Sequence, residues 1–284
     1  MNEKQSRRHF LQAAGVVAAA SMGSAIRCPA RSYGPGLLRA NRVRLKLGLA
    51  SYTLRKFKLD ETVAMTRRLG LKYIALKSFH LPLDSSREQI AQVAEKVRNA
   101  GIELYGGGVI YMNNEADVHQ AFDYAKAAGM KVIIGAPAPG LLALVNEKVQ
   151  EYNIKVAIHN HGPGDKNYPT PASAYERIKE LDKRIGLCND IGHTVRTGED
   201  PSVSAERFAD RLLDVHIKDE SAATAKGQTV EIGRGIIDIP KFLRTLLKIN
   251  YAGVVAFEYE KDADDPLAGL AESVGYVRGV LAAI

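Results

Sequence analysis

From Lys46 onward, short runs of apolar and β-branched residues alternate with stretches in which apolar positions recur every three or four residues. The repeat, roughly 25 to 40 residues long, is the signature of successive βα units. Eight runs read as strands: Lys46 to Tyr52, Tyr73 to Lys77, Ile102 to Gly107, Val132 to Ala136, Val156 to His159, Ile185 to Asp190, Leu212 to His216 and Val254 to Glu258. Between them, Arg87 to Ala100 carries Ile90, Val93, Ala94 and Val97 on one helical face, and Pro240 to Lys248 carries Phe242, Leu243, Leu246 and Leu247. Gly70, Gly101 and Gly129 fall just before the next strand, where a helix ends in the left-handed conformation that glycine adopts without cost. Eight units within residues 45 to 284 predict an α/β fold, a single (β/α)8 TIM barrel of near-typical length. A doubly wound nucleotide-binding sheet fits less well, because its first turn is glycine-rich and the corresponding segment here is Ser51-Tyr52-Thr53-Leu54.

Charge then separates the chain into two parts. The formal net charge is +7. Residues 1 to 44 hold eight basic side chains and one acidic one, which leaves 31 of each in the body. A domain that binds nucleic acid carries its basic surplus on its own surface, so a neutral body argues against such a partner. The first 44 residues open with Ser6-Arg7-Arg8-His9-Phe10-Leu11, continue through an uncharged stretch to Ile26 and pass Gly23-Ser24-Ala25. That layout is an export signal, too short and too weakly apolar for a stable membrane span. It resembles a twin-arginine signal, which implies export to the periplasm of a protein already folded and often loaded with its cofactor. Residues 27 to 44 read as a linker. Cys28 and Cys188 supply no disulfide framework.

In a barrel the chemistry gathers at the C-terminal ends of the strands. Here the last four end in Ala157-Ile158-His159-Asn160-His161-Gly162, Cys188-Asn189-Asp190-Ile191-Gly192-His193, Asp214-Val215-His216-Ile217-Lys218-Asp219 and Ala256-Phe257-Glu258-Tyr259-Glu260. Four of the seven histidines and several carboxylates therefore converge on one mouth. Residues two apart on a strand share a face, so His159 with His161, and His216 with Lys218, can both point inward. Imidazole and carboxylate donors together suit a divalent metal, zinc or manganese first, with magnesium and cobalt compatible.

With these residues the chain resembles the xylose-isomerase-like barrel superfamily of sugar phosphate isomerases and epimerases, which shares its fold with apurinic endonucleases. The resemblance runs across residues 46 to 283. Its most specific pieces are Asp190-Ile-Gly-His193, His216-Ile-Lys218-Asp219, the Gly233-Arg-Gly235 turn and the strand ending at Glu258. It implies metal ligation by His159, Asp190, His216 and Glu258, with His193 contacting substrate or a second metal. One position departs from the pattern: the epimerases carry a glutamate where this chain has His159. Their chemistry uses two glutamates on opposite faces of the sugar to move a proton through a metal-stabilised enediolate, so the second base is left open here. Imidazole can ligate a metal or serve as acid or base near neutral pH, and His161 is an alternative ligand, with His159 turned to substrate.

The remaining candidates frame the mouth. Lys77 and His80 follow the second strand and could orient hydroxyls or stabilise an oxyanion. Tyr52 ends the first strand and could line the pocket. The loop Gly162 to Pro169 is long enough to serve as a lid. Gly233-Arg234-Gly235 could offer amides to an anion, or could simply form a tight turn. The expected activity is metal-dependent isomerisation or epimerisation of a sugar or polyol, with Glu258, His159 or Lys218 carrying the proton and His161, His193, Lys77, His80 and Tyr52 holding substrate. The alternatives are a lyase or dehydratase on a keto-sugar or cyclic polyol, an endonuclease-like phosphodiesterase, and a non-catalytic sugar-binding barrel. The expected partner is a small molecule; a homo-oligomer is left open.

Overall fold

The alternation is realised in a computed structural model that describes residues 45 to 284. The expected leader and linker lie outside the described residues. The eight strands are β1 (Lys46–Ala50), β2 (Tyr73–Leu76), β3 (Glu103–Met112), β4 (Val132–Pro137), β5 (Lys155–His159), β6 (Ile185–Asp190), β7 (Leu212–Ile217) and β8 (Val254–Phe257). Each pairs in parallel with its neighbours in sequence, and β8 closes on β1 with Lys46 opposite Val254 and Leu49 opposite Phe257. The ends of β5, β6 and β7 lie level, His159 beside Cys188 and Asp190 beside His216. A two-stranded hairpin, Asp219–Glu220 with Thr229–Val230, stands beyond β7.

The helices are α1 (Leu59–Arg68), α2 (Arg87–Asn99), α3 (Glu115–Ala128), α4 (Leu142–Tyr152), α5 (Pro171–Ile178), α6 (Ile191–Arg196), α7 (Pro201–Arg207), α8 (Ile239–Lys248) and α9 (Leu267–Ala283). Helix α8 shows why the pattern reads so clearly. Asp238 caps it by accepting from the Lys241 amide at 2.9 Å, Pro240 stands in its first turn, and Phe242, Leu243 and Leu246 are wholly buried. Each such side chain contributes about 1.5 to 3 kcal/mol when removed from water. Gly70, Gly101 and Gly129 follow their helices at φ of 66°, 76° and 67°, as expected.

Two cores result. The larger fills the space between strands and helices. The smaller occupies the barrel interior and is built of small residues, Ala50, Ala75, Ala157, Cys188 and Ala256, with Tyr105 and Ile134. Strand β3 differs from expectation, running on to Met112 past Gly106-Gly107-Gly108, with its register against β4 shifted between Gly108 and Ile110. Close packing explains the glycine at Gly108: a Cβ there would collide with the Ile134 carbonyl. The extension carries Val109 and Tyr111 up to the mouth. No helix among the described residues is long and apolar enough to cross a membrane.

Candidate active site

His159 is the last residue of β5 and is 2% exposed. The next residue, Asn160, turns sideways to knit β5 to β6: its Oδ1 accepts from the Asp190 amide at 3.0 Å, and its Nδ2 donates to Thr194 Oγ1 at 3.1 Å. His161 then returns to the mouth. Asp190 ends β6 and caps α6, with Oδ1 accepting from the His193 amide at 2.8 Å and Oδ2 left facing the barrel axis. His216 and Lys218, two apart at the end of β7, share the inward face. Gly192 leaves room for the lysine stem, since a Cβ there would come within 2.5 Å of Lys218 Cγ and Cδ. The Glu258 amide donates to Ile217 O at 3.1 Å, which brings its carboxylate beside both.

One donor atom each from His159, Asp190, His216 and Glu258 lies within 4.8 Å of every other. His159 Nε2 is 3.2 Å from His216 Nδ1, 3.3 Å from Asp190 Oδ2 and 4.0 Å from Glu258 Oε2. His216 Nδ1 is 3.1 Å from Glu258 Oε2 and 3.9 Å from Asp190 Oδ2. Four ligands on bonds of about 2.0 to 2.2 Å stand roughly 3.3 to 3.6 Å apart in a tetrahedron, and these separations bracket that range. Asp190 Oδ2, moreover, is a buried acceptor with no aligned hydrogen bond. The donor set therefore fits a divalent metal. Lys218 sits at its edge, with Nζ 2.9 Å from Asp190 Oδ2, 2.8 Å from Glu258 Oε2 and 2.5 Å from Glu260 Oε1.

Burial and charge set the protonation of this cluster. Burial drives His159 down to about 3 and keeps it neutral, a form suited to ligation. Burial works against the shifts of its neighbours and is overcome in each case. His193 and Lys218 hold Asp190 well below the usual carboxylate range, and His216 and Lys218 do the same for Glu258. Glu258 lifts His216 to about 9, and Asp190, Glu258 and Glu260 hold Lys218 firmly protonated.

Above the cluster is a cavity of about 180 Å³ lined by Tyr52, Lys77, Val109, Tyr111, His159, His161, His193, Glu258 and Glu260. Tyr52, Lys77, His161 and His193 thus stand where the sequence reading put substrate. His161 Nε2 is 3.0 Å from Tyr111 Oη, and the two rings stack at 5.6 Å. Lys77 Nζ donates to Val109 O at 2.6 Å and lies 5.5 Å from the Tyr111 ring centre; burial lowers its pKa.

His80 is placed differently from the expectation that it meets substrate. It is 6% exposed and absent from the cavity wall, with Nδ1 2.9 Å from Ser51 Oγ and Nε2 3.0 Å from both Thr62 Oγ1 and Phe57 O. Both ring nitrogens are used to fasten β1, β2 and α1 together. The Gly162 to Pro169 loop is anchored at several points: Tyr168 is 1% exposed and donates to Pro137 O at 2.7 Å, and Asp165 Oδ1 accepts from the amides of Asn167 and Tyr168. The glycine turn does cradle an anion, but the anion is the chain's own Asp219, which accepts from the amides of Gly233, Gly235 and Ile237 at 3.0 to 3.1 Å. The sequence reading missed Glu260, Tyr111 and Val109. Glu260 was signalled by its two-residue spacing from Glu258, whereas Tyr111 and Val109 lay past the expected end of β3.

The chain belongs to the xylose isomerase-like TIM barrel family, whose model matches residues 63 to 280. It is 28% identical over 138 residues to the rhizopine catabolism protein MocC of Rhizobium meliloti, covering 41% of this chain and 40% of that one. It is 28% identical over 130 residues to the inosose dehydratase of Geobacillus kaustophilus, covering 40% of this chain and 41% of that one. The chain thus spans about two fifths of the length of these curated relatives. In fold it is similar to the 3-keto-D-glucoside 4-epimerase of E. coli, with a TM-score of 0.69 at 16% identity over 83% of this chain and all of that one.

Proposed function

We propose that this chain is a metal-dependent isomerase or epimerase of a sugar or polyol of monosaccharide size. The observation that carries the reading is the four-donor cluster of His159, Asp190, His216 and Glu258, two of whose members, His159 and Glu258, line a cavity of about 180 Å³. That volume lies below the roughly 300 Å³ at which pockets for drug-sized ligands begin, so it suits one sugar ring. A divalent metal held by these four residues would supply Lewis-acid stabilisation of negative charge on substrate oxygens, which acidifies the neighbouring C–H. The chain's own groups do the rest. Lys218 neutralises Asp190, Glu258 and Glu260 and stands ready to give a proton at Nζ. Glu258 accepts a proton from one wall, and Lys77, its ammonium weakened by burial, exchanges one from the wall across the cavity. His161, fixed by Tyr111, and His193 orient hydroxyl groups.

A second reading, dehydration of a keto-sugar or cyclic polyol, is favoured by one specific feature. His159 stands where a two-base epimerase has a second carboxylate, and elimination needs a single strong base. The partial match to inosose dehydratases points the same way. We also assign the activity to the periplasm, on the twin-arginine motif at Ser6 to Leu11.

The test begins with elemental analysis of purified protein and a screen of that metal form against aldoses, ketoses, inososes and keto-sugars in deuterated water. Deuterium entering an unchanged carbon skeleton supports isomerisation or epimerisation; loss of water supports the dehydratase. Asp190→Ala and His216→Ala should each lose bound metal and about 10²- to 10³-fold in turnover. Full metal occupancy with unchanged turnover in both would overturn either reading.

A further inference from the structure

One layer below the four donors, the barrel interior is almost entirely alanine and aliphatic, yet Asp214 is buried there with no exposed surface. A carboxylate withdrawn from water costs several kcal/mol unless partners answer for it, and burial pushes this one up to about 6. Its neighbours come from across the barrel, from the adjacent strand and from its own. Tyr105, on β3, donates to Oδ1 at 3.2 Å, and Cys188, on β6, places Sγ 3.5 Å from Oδ2. Both are neutral donors, since burial holds the phenol and the thiol well above their usual pKa values. The third neighbour is His216, whose Nε2 lies 3.6 Å from Asp214 Oδ2 and has no hydrogen bond of its own. Asp214 and His216 are two apart on β7, so they share the inward face, one above the other.

An imidazole that ligates through Nδ1 must keep its proton on Nε2, and an acceptor on the Nε2 side fixes both that tautomer and the plane of the ring. We infer that Asp214 is a positioning residue, holding His216 with Nε2 turned down into the barrel and Nδ1 presented upward to the metal. The inference rests on the metal reading and adds to it a reason for a buried charge that touches no substrate. It also explains why the layer is not all alanine: Tyr105 and Cys188 are the donors that keep the Asp214 carboxylate in place and aimed.

The isosteric Asp214→Asn separates this role from a merely structural one. An amide whose oxygen takes the place of Oδ1 still accepts from Tyr105, but its NH2 group, in the place of Oδ2, then faces Cys188 Sγ and His216 Nε2 and favours the tautomer with the proton on Nδ1, where it obstructs ligation. Zinc and manganese affinities, measured by competition against a chromophoric chelator, should fall about 10- to 100-fold. The unfolding midpoint of metal-free protein should stay level or rise, because a buried charge has gone. Asp214→Asn that folds and binds both metals as tightly as the wild type overturns the assignment while leaving the metal reading intact. Wild-type protein that takes up neither metal brings down both. Should the variant fail to fold, nitrogen-correlated NMR of zinc-loaded wild-type protein decides. The His216 Nε2–H signal is expected low-field and slow to exchange, and ligation through Nε2 would sink the proposal.

Discussion

The two halves of the barrel mouth are built from repeats of one kind of βα unit, yet they present opposite chemistry. Strands β5 to β8 end in His159, His161, Asp190, His216, Lys218, Glu258 and Glu260, a dense set of titratable groups. Strands β1 to β3 contribute Tyr52, Lys77, Val109 and Tyr111, a wall of rings and carbonyls with one ammonium. In the first half nearly every polar atom faces another charge; in the second, hydrogen bonds fix shape, as Lys77 does to Val109 and His80 does to Ser51. Under the proposed function the contrast would divide the labour: charge on one side to hold a metal and move protons, and on the other a contoured wall that selects what enters, with Lys77 as its one proton-exchanging group.

The largest expected effect comes from Lys218→Met. Lys218 shares Asp190 Oδ2 and Glu258 Oε2 with the proposed metal position. Removing its charge takes away a competitor for the same oxygens, so metal affinity should hold or rise. Turnover should nevertheless fall by about 10² to 10⁴, the usual worth of a positioned acid or base. Measuring both quantities on one preparation separates ligation from proton transfer. If they fall together, the charged half is a metal cage and nothing more; if turnover is unchanged, Lys218 is a counter-ion only.

Much of the charged half is legible in the sequence. Histidines and carboxylates stand at the ends of the last four strands, and strand ends in a closed barrel must meet, so periodicity brings them to one mouth; the resemblance singles out His159, Asp190, His216 and Glu258 among them. The wall half was harder to read because its contributions depend on local backbone. Strand β3 runs five residues past its expected end through three consecutive glycines, which carry no periodic signal, and Tyr111 rides on that extension. His80 misled for the same kind of reason. A histidine just after β2 looks available, but Ser51 and Thr62, distant in sequence, claim both ring nitrogens. Asp219 was read as part of a motif, whereas its partners, the amides of Gly233, Gly235 and Ile237, are 14 to 18 residues away and become visible only once the chain has folded.

A smaller effect belongs to the wall. Tyr111→Phe removes the hydroxyl held 3.0 Å from His161 Nε2 while keeping the ring. His161 then loses its fixed orientation, and KM should rise about tenfold, the equivalent of about 1.4 kcal/mol. Neither kcat nor metal affinity should change by more than about twofold. A drop in kcat with KM unchanged would place Tyr111 in the chemistry and erase the division between the halves.

The smallest effect tests whether charge on the β5 to β8 side is costly wherever it is not paired. Glu220 follows Asp219 on the short hairpin and is 2% exposed. Its Oε1 accepts from Thr229 Oγ1 at 3.0 Å, while Oε2 is buried without a partner. Burial raises its pKa from 4.5 to about 7. Between those values the native chain binds more protons than the unfolded one, so the protonated carboxyl is favoured in the fold and stability declines as pH rises through the window. Above pH 7 the native carboxylate is charged and the full penalty applies. Glu220→Gln removes the charge and keeps an acceptor for Thr229, so it should raise the unfolding midpoint by a few degrees at pH 8 and by nothing measurable at pH 4.5. Equal shifts at both pH values would mean that packing, not the buried charge, sets the cost at this position. A shift confined to pH 8 would show that the pull of Lys218, which favours the carboxylate, does not offset the cost of burying it.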